Sequence, residues 1–193
     1  MSTRYKILDQ QGLNFMTCTI VGWVDLFTRQ VYRDIVLDSW RYCQQHKGFR
    51  VHGYTFMLNH IHLIASCRAP YRLSDVMCDW KHFTATAFLK YLQDDSQPES
   101  RREWLLYMFQ YFAQGKQGHQ IWEHDNHPVA LFSPEVVLQK LQYIHLNAVR
   151  AGLVQVEEHW LYSSAPYYAA LADGIPHEPL MEIAPVWEFF EEE

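Results

Sequence analysis

Two histidines separated by one residue, His60 and His62, form the strongest chemical signal in the chain. The residues around them are apolar and partly β-branched, a composition typical of a β-strand. Because side chains alternate between the two faces of a strand, both imidazoles should lie on one face, roughly 7 Å apart. Two imidazoles that close together could share one metal ion. The pair alone is a weak signal, because two hydrogen-bonded histidines on a half-buried strand would give the same pattern.

A tyrosine and an asparagine, Tyr143 and Asn147, follow about eighty residues later. Residues four apart lie on the same face of a helix, so this pair offers a nucleophile and a possible third metal ligand side by side. The alternative for Tyr143 is a packing role, which is common for helical tyrosines. The helix has a separate apolar column, which consists of Val137, Leu141, Ile144 and Ala148. Tyr143 lies on the polar column, which favours chemistry: a metal and a tyrosine can break a phosphodiester through a covalent protein–DNA bond.

Hydrophobic periodicity predicts the elements that would position these residues. Strands are predicted at 14–24, 49–57, 60–66 and 119–123, and helices at 28–46, 74–92, 101–114 and 133–150. A serine at 133, a proline at 134 and an acid at 135 give the last helix a strong start. Without the 101–114 helix, the order is that of a split β-α-β unit. We therefore expect an α+β fold, a ferredoxin-like or RRM-like antiparallel sheet with helices on one face, and the histidines on a central strand.

The charge is unevenly distributed along the 193 residues, although the net charge is only −6. All 16 Lys and Arg and 13 of the 22 Asp and Glu lie in residues 1–150, a net charge of +3. Residues 151–193 hold the other 9 acids and no Lys or Arg. This asymmetry predicts a mildly basic working domain followed by an acidic tail. The tail is either a solvated end or a shield over the basic surface that nucleic acid displaces.

The remaining composition points to a reduced, cytoplasmic protein. The four cysteines, Cys18, Cys43, Cys67 and Cys78, are far apart and are expected to be reduced core residues. No segment has the pattern of a signal peptide or a membrane span, so no membrane partner is expected.

Several segments resemble one family, the HUH single-tyrosine transposases. Residues 58–63 (Leu-Asn-His-Ile-His-Leu) resemble its Pro-Asn-His-apolar-His-Leu motif, and residues 143–152 resemble the Tyr-Ile-His-x-Asn-Pro-Val-Arg-Ala-Gly signature of its REP-associated branch. Residues 81–84 are similar to that branch's Lys-x-Phe-Thr element, and residues 160–164 to its Trp-x-x-Ser-Ser element. The similarity runs in order from about residue 14 to residue 168. It implies a catalytic domain of this family at 1–168 and leaves an acidic C-terminal tail at 169–193. Leu58 and Ala148 depart from the family, which usually has proline at both positions.

The resemblance implies both an activity and a set of residue roles. His60, His62 and Asn147 would bind a divalent metal, for which availability favours Mg2+ and imidazole ligands favour Mn2+. Tyr143 would attack single-stranded DNA, leaving a 5′-phosphotyrosine and a free 3′-hydroxyl. The implied substrate is single-stranded DNA flanked by hairpins, similar to REP repeats, bound by a monomer or a homodimer.

Composition suggests a DNA-contacting set of basic and aromatic residues. These candidates are Arg101, Arg102, Lys116, Trp122, Arg150 and Trp160. Two other functions stay open at this point. A nucleic-acid-binding protein of the same fold would bind without cleaving, and a metal-dependent hydrolase would use water in place of Tyr143.

Overall fold

The computed structural model describes residues 6–113 and 118–191. Its strands are β1 (Asn14–Thr19), β2 (Phe49–Phe56), β3 (His60–Cys67) and β4 (Val129–Ala130). Its helices are α1 (Gln30–His46), α2 (Leu73–Gln93), α3 (Arg102–Phe112), α4 (Pro134–His145), α5 (Asn147–Arg150), α6 (Ala165–Ala172) and α7 (Glu188–Glu191). The first three predicted helices are confirmed, with ends shifted by one or two residues. Within the described ranges, no helix is both long and apolar enough to cross a membrane.

The four strands form one antiparallel sheet in the order β2-β3-β1-β4. The predicted α+β class with a split β-α-β sheet is therefore confirmed. The histidine strand β3 is central, and His62 lies opposite Thr17 of β1 and Thr55 of β2. The ladder between β2 and β3 has one irregularity, between Val51 and Gly53. Pairing on both sides gives the histidine strand a fixed position in the sheet.

Helices cover both faces of the sheet, so the expectation of helices on one face is wrong. The larger core lies between α1, α2 and the sheet face that carries Leu63. On the opposite face, α4 packs against Phe15 of β1 and Ile64 of β3. The physical reason is that both the apolar column of α4 and these sheet residues must be covered. By strand alternation, His60 and His62 lie on the same face as α4.

The edge strand lies later in the chain than predicted. Residues 119–123 form one isolated bridge, between Trp122 and Ile20. The regular pairing with β1 is made by β4. Between these points the chain follows β1 irregularly, with Thr17 N donating to the Asn126 carbonyl (2.9 Å). His127 has a φ of 45°, and Pro128 has no N–H to donate. These two residues prevent a continuous ladder.

Two other element ends differ from the prediction. The first strand ends at Thr19, because Gly22 has a φ of 61° and turns the chain. The predicted helix 133–150 divides at Leu146 into α4 and α5. Its predicted start is confirmed, since Ser133 Oγ accepts a hydrogen bond from Val136 N (3.4 Å).

The C-terminal acidic segment packs back onto the domain. Three of its apolar side chains are buried, namely Met181, Ile183 and Val186. Ala184 N donates to the Val51 carbonyl at the edge of β2 (2.9 Å), and Glu188 forms an ion pair with Arg50 (3.8 Å). The alternative of a solvated end is therefore wrong for residues 181–186, because three of their apolar side chains are buried.

Three of the four cysteines match the expectation of unpaired core residues: Cys18, Cys43 and Cys67 are buried and free. Cys78 is also free but is exposed on α2, so the prediction of a core position is wrong for it. The apolar face of α2 instead uses Val76, Met77 and Trp80 around that position.

Candidate active site

The two histidines of β3 face each other on the α4 side of the sheet. Their ring centroids are 4.7 Å apart, and the Nε2 atoms of His60 and His62 are separated by 3.3 Å. The strand alone spaces alternate residues by roughly 7 Å, so the side chains lean towards each other. The pair therefore presents two ring nitrogens at one point.

The outer ring nitrogens are held by neighbouring polar side chains. His60 Nδ1 lies 2.7 Å from Asn59 Oδ1, which can only accept, so His60 carries a proton on Nδ1 and a lone pair on Nε2. His62 Nδ1 lies 3.0 Å from Thr17 Oγ1 on the adjacent strand. Such outer hydrogen bonds orient imidazoles that bind metals. Sequence reasoning did not assign a role to Asn59 or Thr17.

Burial keeps both imidazoles neutral. Desolvation lowers the pKa of His60. The pKa of His62 is lowered to about 3, first by desolvation and then because a proton on this ring would be repelled by the neighbouring His60 and Lys140. Near neutral pH both rings therefore have the uncharged form that a metal ligand requires.

The histidine pair fits a divalent cation as two of its ligands. Two nitrogens that are each about 2.1 Å from one ion and 3.3 Å apart subtend roughly 100° at the ion, which is a normal ligand angle. The part of the chain that the structure describes contains no group of three or more His, Cys, Asp or Glu suited to a metal. Further ligands would therefore be neutral oxygens, water or a phosphate, and a neutral protein shell leaves the cation electrophilic.

Tyr143 lies beside this pair on α4. Its ring centroid is 5.5 Å from that of His62 and 6.1 Å from that of Phe15, and the residue is 38% exposed. The predicted apolar column of α4 is buried, which leaves Tyr143 on the accessible side as expected. The structure thus brings His60, His62 and Tyr143 together, although they are far apart in sequence.

Two cations flank the Tyr143 ring. Lys140 Nζ lies 5.5 Å and Arg150 Cζ 5.7 Å from its centroid. Arg150 was among the predicted DNA-contacting residues, and its exposed position beside Tyr143 suits a phosphate contact. Lys140 was missed, although its place three residues before Tyr143 puts both on adjacent turns of one helix. Together the two side chains place positive charge where a phosphodiester would approach the phenol.

Asn147 lies on α5, one turn after Tyr143. Its Nδ2 donates to the Tyr143 carbonyl (2.7 Å), so its hydrogen-bond partner is the backbone of the helix that carries Tyr143 rather than an imidazole. This bond follows the division of the helix at Leu146. The structure therefore places Asn147 near Tyr143 but does not bring it into hydrogen-bond contact with the histidines. Its role as the third ligand stays a prediction.

A buried polar contact fixes the helix that carries Tyr143. His145 Nε2 lies 2.8 Å from Ser164 Oγ, which also accepts a hydrogen bond from the backbone N of Tyr54 in β2 (3.0 Å). His145 and Ser164 both belong to the recognised motifs, yet the sequence did not indicate that they touch. Gly53 contributes by its small size, since a Cβ there would lie 2.6 Å from Leu141 Cδ1. Helix α4 therefore packs closely against β2.

Two of the predicted DNA-contacting arginines are engaged within the protein. Arg101 forms an ion pair with Glu99 (3.1 Å), whose side chain is fully buried, and donates to the Asp25 carbonyl (2.9 Å). Arg102 forms an ion pair with Asp95. Both therefore help to fix the loop before α3, and their DNA contacts stay untested.

The two predicted tryptophans are also used for packing. Trp122 is buried in the larger core, and its Nε1 donates to Thr84 Oγ1 (3.0 Å), so its ring is not accessible for stacking on a base. Trp160 is half-buried and donates from Nε1 to the Phe56 carbonyl (2.8 Å). Lys116 lies outside the described residues.

The solved structures that resemble the chain include the following two. One is a REP-associated tyrosine transposase bound to a REP hairpin, with a TM-score of 0.61 over 96% of this chain and 93% of that chain, at 16% sequence identity. The other is a protein from Deinococcus radiodurans R1, provisionally assigned as a transposase, with a TM-score of 0.41 over 75% of this chain and 95% of that chain, at 14% identity. No family profile matches the chain, and no curated protein matches it. The first likeness shows that the chain has the α+β fold of that transposase.

Proposed function

We propose that the chain is a metal-dependent transposase or nickase that cleaves and rejoins single-stranded, hairpin-flanked DNA through a 5′-phosphotyrosine. The observation that carries the proposal is the convergence of an accessible tyrosine ring, 5.5 Å from His62, with two neutral imidazoles whose Nε2 atoms meet at 3.3 Å. The shared fold with a REP-associated tyrosine transposase bound to a REP hairpin supports the substrate class. All of these groups lie within residues 1–168, to which we assign the catalytic domain.

The reaction exchanges one phosphodiester bond for another. The Tyr143 oxygen forms a bond to phosphorus as the bond from phosphorus to the 3′ oxygen breaks. The phenol loses its proton to solvent, and the departing 3′ oxygen gains one. Because the new bond is itself a phosphodiester, a 3′-hydroxyl can reverse the step and rejoin the strand without ATP.

The residues of the site would contribute to this reaction in different ways. A divalent cation bound by His60 and His62, of which Mg2+ and Mn2+ are the candidates, would supply charge neutralisation at the non-bridging phosphate oxygens. Lys140 and Arg150, which both lie close to the Tyr143 ring, would bind the phosphate. A tyrosine is a weak nucleophile near neutral pH, so this positive surrounding is what would make it competent.

The experiment uses hairpin oligonucleotides with single-stranded flanks, drawn from the repeats around the protein's own gene, with Mg2+ or Mn2+. One set carries a label at the 3′ end and the other at the 5′ end. In a denaturing gel, the 3′-labelled fragment should migrate with the protein, and the 5′-labelled fragment should be released with a free 3′-hydroxyl. The adduct should need metal and disappear in Tyr143→Phe, but persist in Tyr107→Phe, a control at an exposed tyrosine of α3.

Other outcomes identify the rival functions. Cleavage that persists in Tyr143→Phe would indicate a hydrolase that uses water. Binding in a native gel without an adduct on any repeat would indicate a nucleic-acid-binding protein that does not cleave.

A further inference from the structure

An exposed tryptophan lies directly beside the histidine pair. Trp23 is 69% exposed, and its ring centroid is 6.2 Å from that of His60. A tryptophan in so open a position contributes little to the core, because most of its apolar surface stays in water. Its neighbours in the turn, Val21 and Val24, are by contrast buried. The Trp23 ring is therefore exposed beside the histidine pair rather than packed in the core.

The backbone holds Trp23 in an unfavourable conformation. Gly22 has a φ of 61° and Trp23 a φ of 57°, and the left-handed region is costly for a bulky side chain. The turn is closed by Trp23 N, which donates to the Ile20 carbonyl (3.1 Å). Phe112 of α3 packs on Gly22 so closely that a Cβ there would lie 2.3 Å from its Cε2. A residue with free φ, such as glycine, would suit position 23 better if only the turn mattered.

One side chain connects this turn to the metal-binding pair. Asn59 Nδ2 donates to the Trp23 carbonyl (3.3 Å), and Asn59 Oδ1 accepts from His60 Nδ1 (2.7 Å). The same carboxamide therefore fixes the backbone that carries the indole and the ring that would bind the cation. The rings of Trp23, His60, His62 and Tyr143 follow one another at centroid distances of 6.2, 4.7 and 5.5 Å.

We infer that Trp23 is a stacking platform for a base of single-stranded nucleic acid, next to the phosphate held at His60 and His62. The inference rests on the proposed function and adds a positioning residue to it. Single strands expose the π-faces of their bases, which stack on aromatic side chains with little dependence on sequence. A strand whose phosphate lies between the histidines and Tyr143 continues past His60 towards the indole. Stacking there would fix which phosphodiester faces the nucleophile.

The variant Trp23→Gly separates this role from a structural one. It removes the indole and suits the left-handed backbone, so it should unfold at the same or a higher denaturant concentration than the parent. Its affinity for single strands should fall roughly 5- to 150-fold, the effect expected for one stacked base. Trp23→Phe keeps an aromatic face and should retain affinity within about threefold. Tyr42→Ala, at an exposed aromatic of α1 under the other sheet face, should bind like the parent.

Binding is measured by fluorescence anisotropy in the Tyr143→Phe background with Mg2+, which excludes cleavage. A series of oligonucleotides carries 2-aminopurine at successive positions of the single-stranded flank. One position should be quenched on binding, and the quenching should be lost in Trp23→Gly. Adduct formation by the parent chain is scored in parallel on denaturing gels.

The two readouts separate the inference from the proposed function. Unchanged affinity and quenching in Trp23→Gly would overturn the inference, even if the parent forms the adduct. Lost affinity in Trp23→Gly with no adduct from the parent would support the inference and overturn covalent cleavage. A parent chain that binds no single-stranded DNA at all would overturn both.

Discussion

Removing the Ser164 hydroxyl should destabilise the protein strongly, because two buried groups lose their partner. Ser164 is fully buried, and its Oγ accepts from Tyr54 N (3.0 Å) and lies 2.8 Å from His145 Nε2. The Tyr54 carbonyl would keep a bond from Ser164 N (2.9 Å), so it is not lost. Each of these hydrogen-bonding groups has a partner when His145 carries its proton on Nε2 and the Ser164 hydroxyl donates to the Tyr54 carbonyl (3.2 Å).

The size of the expected loss of stability follows from the two donors that lose their partner, Tyr54 N and His145 Nε2. A buried polar group without a partner costs about 1–3 kcal/mol, so the loss of a partner by two such groups in Ser164→Ala should lower the free energy of unfolding by roughly 2–6 kcal/mol. That is a large part of the roughly 5–15 kcal/mol that holds a typical domain together. The measurement is urea unfolding followed by circular dichroism and by tryptophan fluorescence, whose coincidence tests two-state behaviour.

The neighbouring serine supplies the control. Ser163 Oγ contacts the Tyr54 carbonyl (3.2 Å) and Ala165 N (3.1 Å), so Ser163→Ala deprives only the start of α6 of a partner. It should cost about 1 kcal/mol or less. Equal losses for both variants, or a loss below about 0.5 kcal/mol for Ser164→Ala, would refute the reasoning. A double-mutant cycle with His145→Ala should give a coupling of about 0.5–3 kcal/mol, since the two residues share a bond.

Three further predictions concern the proposed metal ligands, the packing of α4 against β2 and the pH dependence of stability. His60→Ala or His62→Ala should weaken Mn2+ binding, followed by the EPR signal of free Mn2+, by more than about tenfold, since even outer partners of a ligand contribute that much. Gly53→Ala should lower the free energy of unfolding by about 1–3 kcal/mol, because the new Cβ would lie 2.6 Å from Leu141 Cδ1. Desolvation, followed by the charge of Arg50, lowers the pKa of His52 to about 3. As the pH falls below about 6.5 the unfolded chain therefore takes up a proton first, and stability should fall until the pH approaches 3.

Each of these predictions has its own check. His46→Ala, at an exposed histidine near the end of α1, should leave Mn2+ binding unchanged, and equal binding by all three histidine variants would contradict the assignment. Leu141→Val should recover part of the stability lost in Gly53→Ala; a Gly53→Ala variant as stable as the parent would mean that α4 shifts freely. His52→Gln should flatten the stability profile between pH 6.5 and 4, and an unchanged slope would exclude His52 as its source.

The sequence predicted well what depends on local periodicity. Alternation along β3 correctly put His60 and His62 on one face, and the 3.6-residue period of α4 separated its buried column from Tyr143. Both features follow from the geometry of a single element, so a local pattern is enough to predict them.

The sequence did not predict which elements meet. Nothing in the pattern of α4 indicates that it covers the face opposite α1 and α2, because an apolar column only shows that some partner is needed. The approach of Trp23 to His60 depends on two left-handed residues, and only the glycine at 22 gives a local signal. The segment 180–190 is visibly apolar in the sequence, but its composition does not indicate that Met181, Ile183 and Val186 pack on the domain.

The histidine pair and Tyr143 are held in place by different interactions, so mutations should affect them separately. The imidazoles belong to a central strand and are oriented by Asn59 and Thr17 through single hydrogen bonds. The position of Tyr143 depends instead on the close packing of α4 over Gly53 and on the buried contact between His145 and Ser164. A change in the first set should weaken metal affinity while α4 keeps its position. A change in the second set should slow adduct formation while metal affinity stays the same, because the histidine strand is held by its pairing with β1 and β2 on both sides. A site built as one rigid unit would instead lose both properties together.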